Sequence, residues 1–262
     1  MSFLGPVGSV IPVKCASQLT AAGGRPVSFQ DTLGKRKAFL GNVKAREWSV
    51  DIGLAKPQEL SGLRWLAENV DSPMVWYSPD AVVGNILPPD VAGFTQGAHN
   101  GLDGQLVEVE PGVWVKSALN DGTTSLRIPY GGGAEHALPV IAGHPVAVSA
   151  WMRGNEMRIT VMWYDQSGTL LATDTGANES HASWVRMSRV LVAPPAAARA
   201  EVRFVGSTQV AGPAVTLTDR VMPYSPGRGA TNVIVHGLSD AVIRATDQQQ
   251  LGSLSFTISE VG

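Results

Sequence analysis

The residues best suited to chemistry are scattered, and their spacing defines what they can do. His99, His136, His144, His181 and His236 include no His-x-x-x-His pair. Two imidazoles one helical turn apart are what a hydrolytic zinc needs, so that motif is absent. The chain contains no Gly-x-Ser-x-Gly elbow, P-loop or dinucleotide fingerprint. Gly131-Gly132-Gly133 lacks the Lys-Ser/Thr that follows a phosphate cradle, so a loop is expected there. Glu108, Glu110, Glu135, Glu156 and Asp165 are acids of the type that glycosidases pair, yet nothing in their spacing selects two of them. Cys15 stands beside Lys14 without an evident His partner and is expected as a packed or surface thiol. No catalytic constellation emerges, and the expectation is a protein that is not an enzyme.

Aromatic residues offer a different chemistry. A ring presents an apolar plate on which the C–H face of a sugar stacks, while polar neighbours fix its hydroxyls. Trp151, Trp163 and Trp184 lie in strand-like stretches and are expected in the core. Trp163 shares its parity with Ile159 and Val161, whereas Trp151 faces with Ser149, away from Val148 and Ala150. Trp114 follows a Pro111-Gly112 turn, and Tyr130 precedes the triple glycine. Both sit near strand ends, either as rings packing the rim or as a carbohydrate-binding platform. Basic residues cluster once, at Lys35-Arg36-Lys37 with Lys44 and Arg46. Net charge is −2, so this run reads as a solvated hairpin or an inter-subunit contact rather than a nucleic-acid patch.

Composition bounds the class. Charged residues make up 16 % of the 262, against about 25 % in average proteins, and 44 % are hydrophobic. That is enough apolar surface to disfavour disorder. No stretch of about 18 residues runs free of charge, Pro or Gly, so no membrane span is expected. One cysteine forms no internal disulfide. The segment Met1 to Pro6 has neither the basic nor the apolar region of a signal peptide. The chain is therefore expected to fold in a cytoplasm and to leave, if it leaves, by lysis or a dedicated route.

The elements that must position these residues are mostly strands. From Arg46 to Leu54 the sequence alternates strictly, with Trp48, Val50, Ile52 and Leu54 on one face. After Pro57 the period changes, and Leu60, Leu63, Leu66 and Val70 predict one helix that ends before Pro73. Pro/Gly-rich joints at 78–89 and 223–229 bracket a long stretch of turn signals, among them Gly154-Asn155 and Gly212-Pro213. Eight strands are expected between the joints, at 105–109, 114–118, 146–152, 157–164, 169–173, 184–192, 200–205 and 214–218. That spacing reads as an antiparallel sandwich of the jelly-roll kind. Strands return after the second joint, where Leu254, Phe256 and Ile258 supply an apolar face. The tail is too short to fold alone. The expected organisation is mainly all-β: a discontinuous β-sandwich with one helix from 1–84 and 227–262, and an inserted jelly roll from 85–226.

Several segments carry a resemblance. Arg46-Glu47-Trp48-Ser49-Val50, the helix from Pro57 to Leu63 and Pro73-Met74-Val75-Trp76-Tyr77 resemble the first domain of minor tail or distal-tail-like proteins of long-tailed, siphovirus-type actinobacterial phages. Asn85-Ile86-Leu87 resembles their entry into an inserted module. The exit Pro226-Gly227-Arg228-Gly229-Ala230 and the closing Gly237-Leu238-Ser239-Asp240-Ala241 also look tail-like. Within the insert, 148–154, 163–171 and 183–187 are similar to carbohydrate-binding-module jelly rolls. The resemblance implies a tail-tube type of fold for the discontinuous domain and a virion tail-tip structural protein. Its implied partners are itself, as a hexameric or trimeric ring, other tail proteins, and a host cell-wall glycan. Jelly-roll binding modules often hold a structural calcium, for which Asp90, Asn100, Asp103 and Asp219 are the candidate ligands, with solvated turn acids as the alternative. The competing interpretation is a free-standing polysaccharide-binding module or an accessory domain of a carbohydrate-active enzyme.

Overall fold

A computed structural model describes the chain except for residues 14–15, 25–26, 33–34, 41–43, 56, 70–73, 95–101, 120–121, 127–136, 246–249 and 262. For 16–24, 27–32, 35–40, 44, 54, 57–59, 69, 102–103, 207–208, 242–245 and 250 it describes the backbone alone. The chain is mainly β, and its described strands pair antiparallel. The first half of the chain holds β1 (Ser2–Gly5), β2 (Ile11–Val13), β3 (Ala16–Gly24), β4 (Val27–Thr32), β5 (Lys35–Leu40), β6 (Lys44–Ala55), α1 (Pro57–Asn69), β7 (Met74–Tyr77), α2 (Pro79–Gly84) and α3 (Pro89–Ala92). There follow β8 (Leu102–Glu110), β9 (Val113–Leu119), β10 (Thr123–Ser125), β11 (Leu138–Pro139), β12 (Pro145–Tyr164), β13 (Leu170–Thr175), β14 (Glu179–Val192), β15 (Arg199–Thr216), β16 (Ala230–Ala245) and β17 (Gln250–Glu260). Two compact units result, one of Met1–Pro12 with Val75–Thr231, the other of Val13–Met74 with Asn232–Gly262.

The smaller unit joins sequence-distant strands in the order β16-β17-β6-β3. Its register matches apolar to apolar, with Trp48 opposite Ile258, Val50 opposite Phe256 and Ile52 opposite Leu254. All six are buried. The alternation in β6 therefore works as the sequence suggests, because its partner strand carries the same period. Helix α1 buries Leu60, Leu63 and Leu66 and leaves Trp65 exposed. Gly252 faces the helix, since a Cβ there would come within van der Waals contact of the Leu60 side chain, 3.4 Å away. Ion pairs Arg64–Asp240 at 2.6 Å and Arg46–Glu260 at 2.7 Å add cross-links at the margins of this core. Strands β4 and β5 form a separate hairpin, with Asp31 opposite Arg36.

The larger unit is built on β12 and β15, which pair along most of their length. β14 and β13 take successive stretches of the other edge of β12, while β9, β10 and β11 pair with β15. Gly154-Asn155 is not a turn between two strands. It belongs to a bulge within β12, where Gly154 pairs with Ser207 and the next paired residue, Arg158, meets Val205. The bulge switches parity. Val146, Val148, Ala150 and Met152 enter the large core before it, and Met157, Ile159, Val161 and Trp163 enter the same core after it. A bulge bends its strand and increases the local twist, so both arms of β12 serve one sandwich-like core. Glu156 takes a φ of 51°, and Gly206, at φ 76°, lies where a Cβ would collide with the Glu156 carbonyl. Gly212-Pro213 is likewise internal, to β15, rather than a turn.

The joints also differ from a pair of linkers. Residues 78–89 contain α2 and lead into α3 instead of forming extended chain. Ser78 caps α2 by accepting from the Ala81 N–H at 3.3 Å, and Pro79 occupies the first helical turn. Pro-rich composition marked a break, but proline at a helix start serves equally well. Phe3, Val75, Tyr77, Ala81 and Val82 are part of the large core. Residues 1–12 and 75–84 consequently group with the sandwich, not with the discontinuous domain to which the sequence assigned them.

Candidate functional site

The hairpin of β8 and β9 presents one of the two candidate sugar-stacking rings. Its odd-numbered Val107, Val109, Val113 and Val115 pack inward against Trp151. Its even-numbered Leu106 and Trp114 point outward, 64 % and 58 % exposed. Trp114 pairs across the hairpin with Glu108, and Leu106 with Lys116. Gly112, with φ 78°, makes the tight turn and donates its N–H to the Glu108 carboxylate at 2.8 Å. Lys116 donates to the Phe94 carbonyl at 2.9 Å. The sequence's placement of Trp114 beside the Pro111-Gly112 turn matches this geometry. Tyr130 lies outside the described residues.

The three strand tryptophans divide by environment. Trp163 is fully buried and donates its indole N–H to Asp174 at 2.6 Å. Trp151 lies on the other face of β12, held by Tyr224 edge-on at 5.2 Å, Arg186 over its ring at 5.1 Å, and Glu110 accepting its N–H at 3.0 Å. Burial lowers the Arg186 pKa, and the Glu110 charge opposes that shift. Gly212 makes room for this ring, because a Cβ would sit 2.9 Å from it. Trp184 departs from the core expectation. It is only partly buried, packing at the edge of the Trp151 cluster with the Arg153 guanidinium 4.9 Å above its ring.

Sequence reasoning missed a groove of about 660 Å³ at the β12 bulge. Arg153, Asn155, Ser180, His181 and Gln209 bring polar groups to it, and Leu119 contributes an apolar wall. Among the described residues no carboxylate lines it. The signal existed in the paired irregularities, since β14 skips register against β12 at the same place, leaving His181 opposite Gly154. Bulges re-aim side chains, and here three strands deviate together.

Other candidates do not gather. Asp90 lies in the first turn of α3, and Asp219 is exposed just past β15. Asp103 pairs with Ala118 through its backbone, and Asn100 lies outside the described residues. Among the described residues no three His, Cys, Asp or Glu side chains come together as a metal cluster. Asp165 caps its hairpin turn by accepting from Ser167 Oγ at 2.6 Å and the Thr169 N–H at 2.9 Å, and the Ser167 hydrogen bond holds its carboxyl below the usual range. Glu135, Cys15 and the triple glycine lie outside the described residues. Arg46 is committed to Glu260 and lies over Trp48 at 5.2 Å. Among the described residues no helix is long and apolar enough to cross a membrane.

The joints at the two ends of the sandwich converge on Asn85, which is fully buried. Its Oδ1 accepts from the Leu87 and Val215 N–H groups, and its Nδ2 donates to the Pro213 and Ser225 carbonyls, all at 3.1 Å. Backbone bonds from Ile86 to Val215, Arg228 to Asn85 and Gly229 to Leu87 complete the crossing. Gly229 permits it, because a Cβ there would overlap the Ile86 carbonyl.

No family model matches the chain, and no curated protein matches it. Among solved structures it is similar to the enzymatically active domain of bacteriophage CBA120 tailspike protein 4, at 15 % identity over 51 % of this chain and 21 % of that one, with a TM-score of 0.34. It is similar to the CBM22-1–GH10 modules of Clostridium thermocellum xylanase 10B at 14 % identity, covering 55 % and 30 % of the two chains, TM-score 0.34. Against the SPP1 Dit protein, described as a hub adsorption apparatus protein of phages infecting Gram-positive bacteria, identity is 10 % over 83 % of this chain and 100 % of that one, TM-score 0.23. The chain spans about a fifth and under a third of the first two proteins' lengths.

Proposed function

We propose that the chain is a structural subunit of a phage tail tip, a distal-tail-like or minor tail protein of a long-tailed phage that forms a hexameric or trimeric assembly with other tail proteins. The observation that carries this reading is the Asn85 crossing. Within the larger unit it ties residues 85–87 to residues 213–229 through a buried side chain and three backbone hydrogen bonds, so the chain that leads into the strands and the chain that leads out of them are held together, as a module inserted within another domain of a tail protein needs. The resemblance of residues 46–50, 57–63 and 73–77 to tail proteins supports the same reading, as does a smaller unit built from two distant segments of chain.

The sandwich also serves host-surface adhesion through glycan. Trp114 and Leu106 form an exposed apolar pair on one hairpin face, flanked by Glu108 and Lys116, which is the mixture that sugar contact needs. Size-exclusion light scattering on the purified chain, alone and with tail partners, tests the structural role. A hexamer, a trimer or a stable tail complex supports it. A persistent monomer that hydrolyses cell-wall polysaccharide refutes it.

A further inference from the structure

We propose that the groove at the β12 bulge binds an uncharged oligosaccharide, held by carboxamide and hydroxyl groups. This rests on the reading of the sandwich as the glycan-contacting unit and names a second place in it, apart from the Trp114 hairpin, where contact is made.

The groove runs across the strands. Its floor is a row of paired residues on four neighbouring strands. His181 of β14 lies opposite Gly154 of β12, Arg153 of β12 opposite Gln209 of β15, and Gln209 opposite Leu119 of β9. At about 4.8 Å between strands such a row spans about 14 Å, which suits a short chain of rings better than a single one. Asn155 and Glu156 have no partner in the β12–β15 ladder, and the Asn155 side chain is left exposed at the groove.

The charged groups there are already engaged. Arg153 has partners within the protein, among them the Trp184 ring 4.9 Å from its guanidinium. His181 Nε2 lies 3.2 Å from the Glu179 carboxylate. A charged sugar therefore gains no free ion-pair partner from these side chains. What remains is neutral and short. Gln209 Oε1 is buried without a hydrogen-bond partner among the described residues, an unsatisfied acceptor that a hydroxyl from outside would relieve. Asn155 brings a second carboxamide. Ser180 Oγ accepts from the Glu156 N–H at 3.0 Å, so its own proton can be donated. A carboxamide holds a donor and an acceptor side by side, and neighbouring sugar hydroxyls present the same pair. Leu119 gives an apolar wall for C–H contact. One leucine and one alanine are too little apolar surface for the side-chain pockets by which a peptide strand is recognised.

The test titrates the full-length chain with neutral galactose and glucose trisaccharides, a galacturonic acid trisaccharide and trialanine. It is read by NMR at the Asn155 and Gln209 side-chain amides, the Leu119 methyls and the Trp114 indole. At least one neutral trisaccharide is expected to move the Asn155, Gln209 and Leu119 signals together, with the acidic sugar binding no more tightly. Asn155→Ala, at an exposed position, and Gln209→Met, which keeps the volume, should each weaken the binding read at the Leu119 methyls by about three- to tenfold, the loss of one hydrogen bond. Any midpoint read at the Trp114 indole should stay where it was. Because the wild-type spectra are read first, a variant that fails to fold does not block the answer. Movement of the Trp114 signal alone overturns the groove and leaves adhesion through the hairpin standing. Tighter binding of the acidic sugar or of trialanine at the groove overturns the neutral-saccharide assignment. If no sugar moves either set of signals, the groove and the adhesive role both fall, whereas the structural role is decided by oligomeric state.

Discussion

Asn85→Ala is the substitution whose cost follows most directly from the geometry. The side chain satisfies two backbone N–H groups and two carbonyls in a place with no access to solvent. Truncation leaves the Leu87 and Val215 amides buried without partners, at about 1–3 kcal/mol each. The carbonyls of Pro213 and Ser225 add less, since an under-satisfied oxygen is tolerated better than an orphaned N–H. A loss of about 3–5 kcal/mol is expected, a large share of the ~5–15 kcal/mol that holds a domain together. Urea unfolding followed by circular dichroism measures it, as a lower midpoint at unchanged slope. Hydrogen exchange at the Leu87 and Val215 amides locates the damage. Asn85→Asp keeps the shape but points a carboxylate at two carbonyls, so its carboxyl is raised in the folded state. That variant is therefore relatively more stable in acid and loses the advantage as pH rises through the folded pKa. A loss below about 1 kcal/mol for Asn85→Ala would refute the claim that this side chain closes the joint.

Three further outcomes follow from the same structure. Trp163→Ala should cost about 3–5 kcal/mol because the ring is wholly enclosed, while Trp184→Ala should cost less than half as much; paired denaturation curves on the full chain measure the difference. Gly212→Ala should destabilise through both its left-handed φ of 53° and the clash with Trp151, detected as a lower melting temperature and a changed tryptophan near-ultraviolet signal. Burial pushes the Glu201 pKa up, but the hydrogen bonds and charge of Arg203, with help from Tyr164 and Ser125, outweigh it and hold the carboxyl below its ordinary range. Its stabilisation is complete above the unfolded glutamate value of ~4.3 and is lost as pH falls through the lower folded value, so Glu201→Gln should flatten the stability profile in that acid window.

Periodic segments were legible in the sequence. The alternation of Trp48, Val50 and Ile52 and the helical spacing of Leu60, Leu63 and Leu66 both name their buried faces, because one regular element has one period. The parity of Trp163 with Ile159 and Val161 identified core in the same way. Glycine misled where it served a bulge. At Gly154 and Gly212 the sequence shows a turn residue, but only cross-strand partners determine whether the chain reverses or bends onward. Proline misled at Pro79, where the Ser78 cap turns a break into a helix start. The groove was illegible because its members come from bulges on different strands, and bulge register depends on long-range pairing. Trp114 was recognisable from its turn, yet its exposure depends on the opposite face of the hairpin being occupied by Trp151.

The central claim, that this chain is part of a tail tip, is tested most directly by electron microscopy of phage particles labelled with a gold-conjugated antibody against it. Label at the distal end of the tail, in the same position on particle after particle, is the predicted result. Particles with intact tails and no label, with the chain recovered only as free protein, would contradict it.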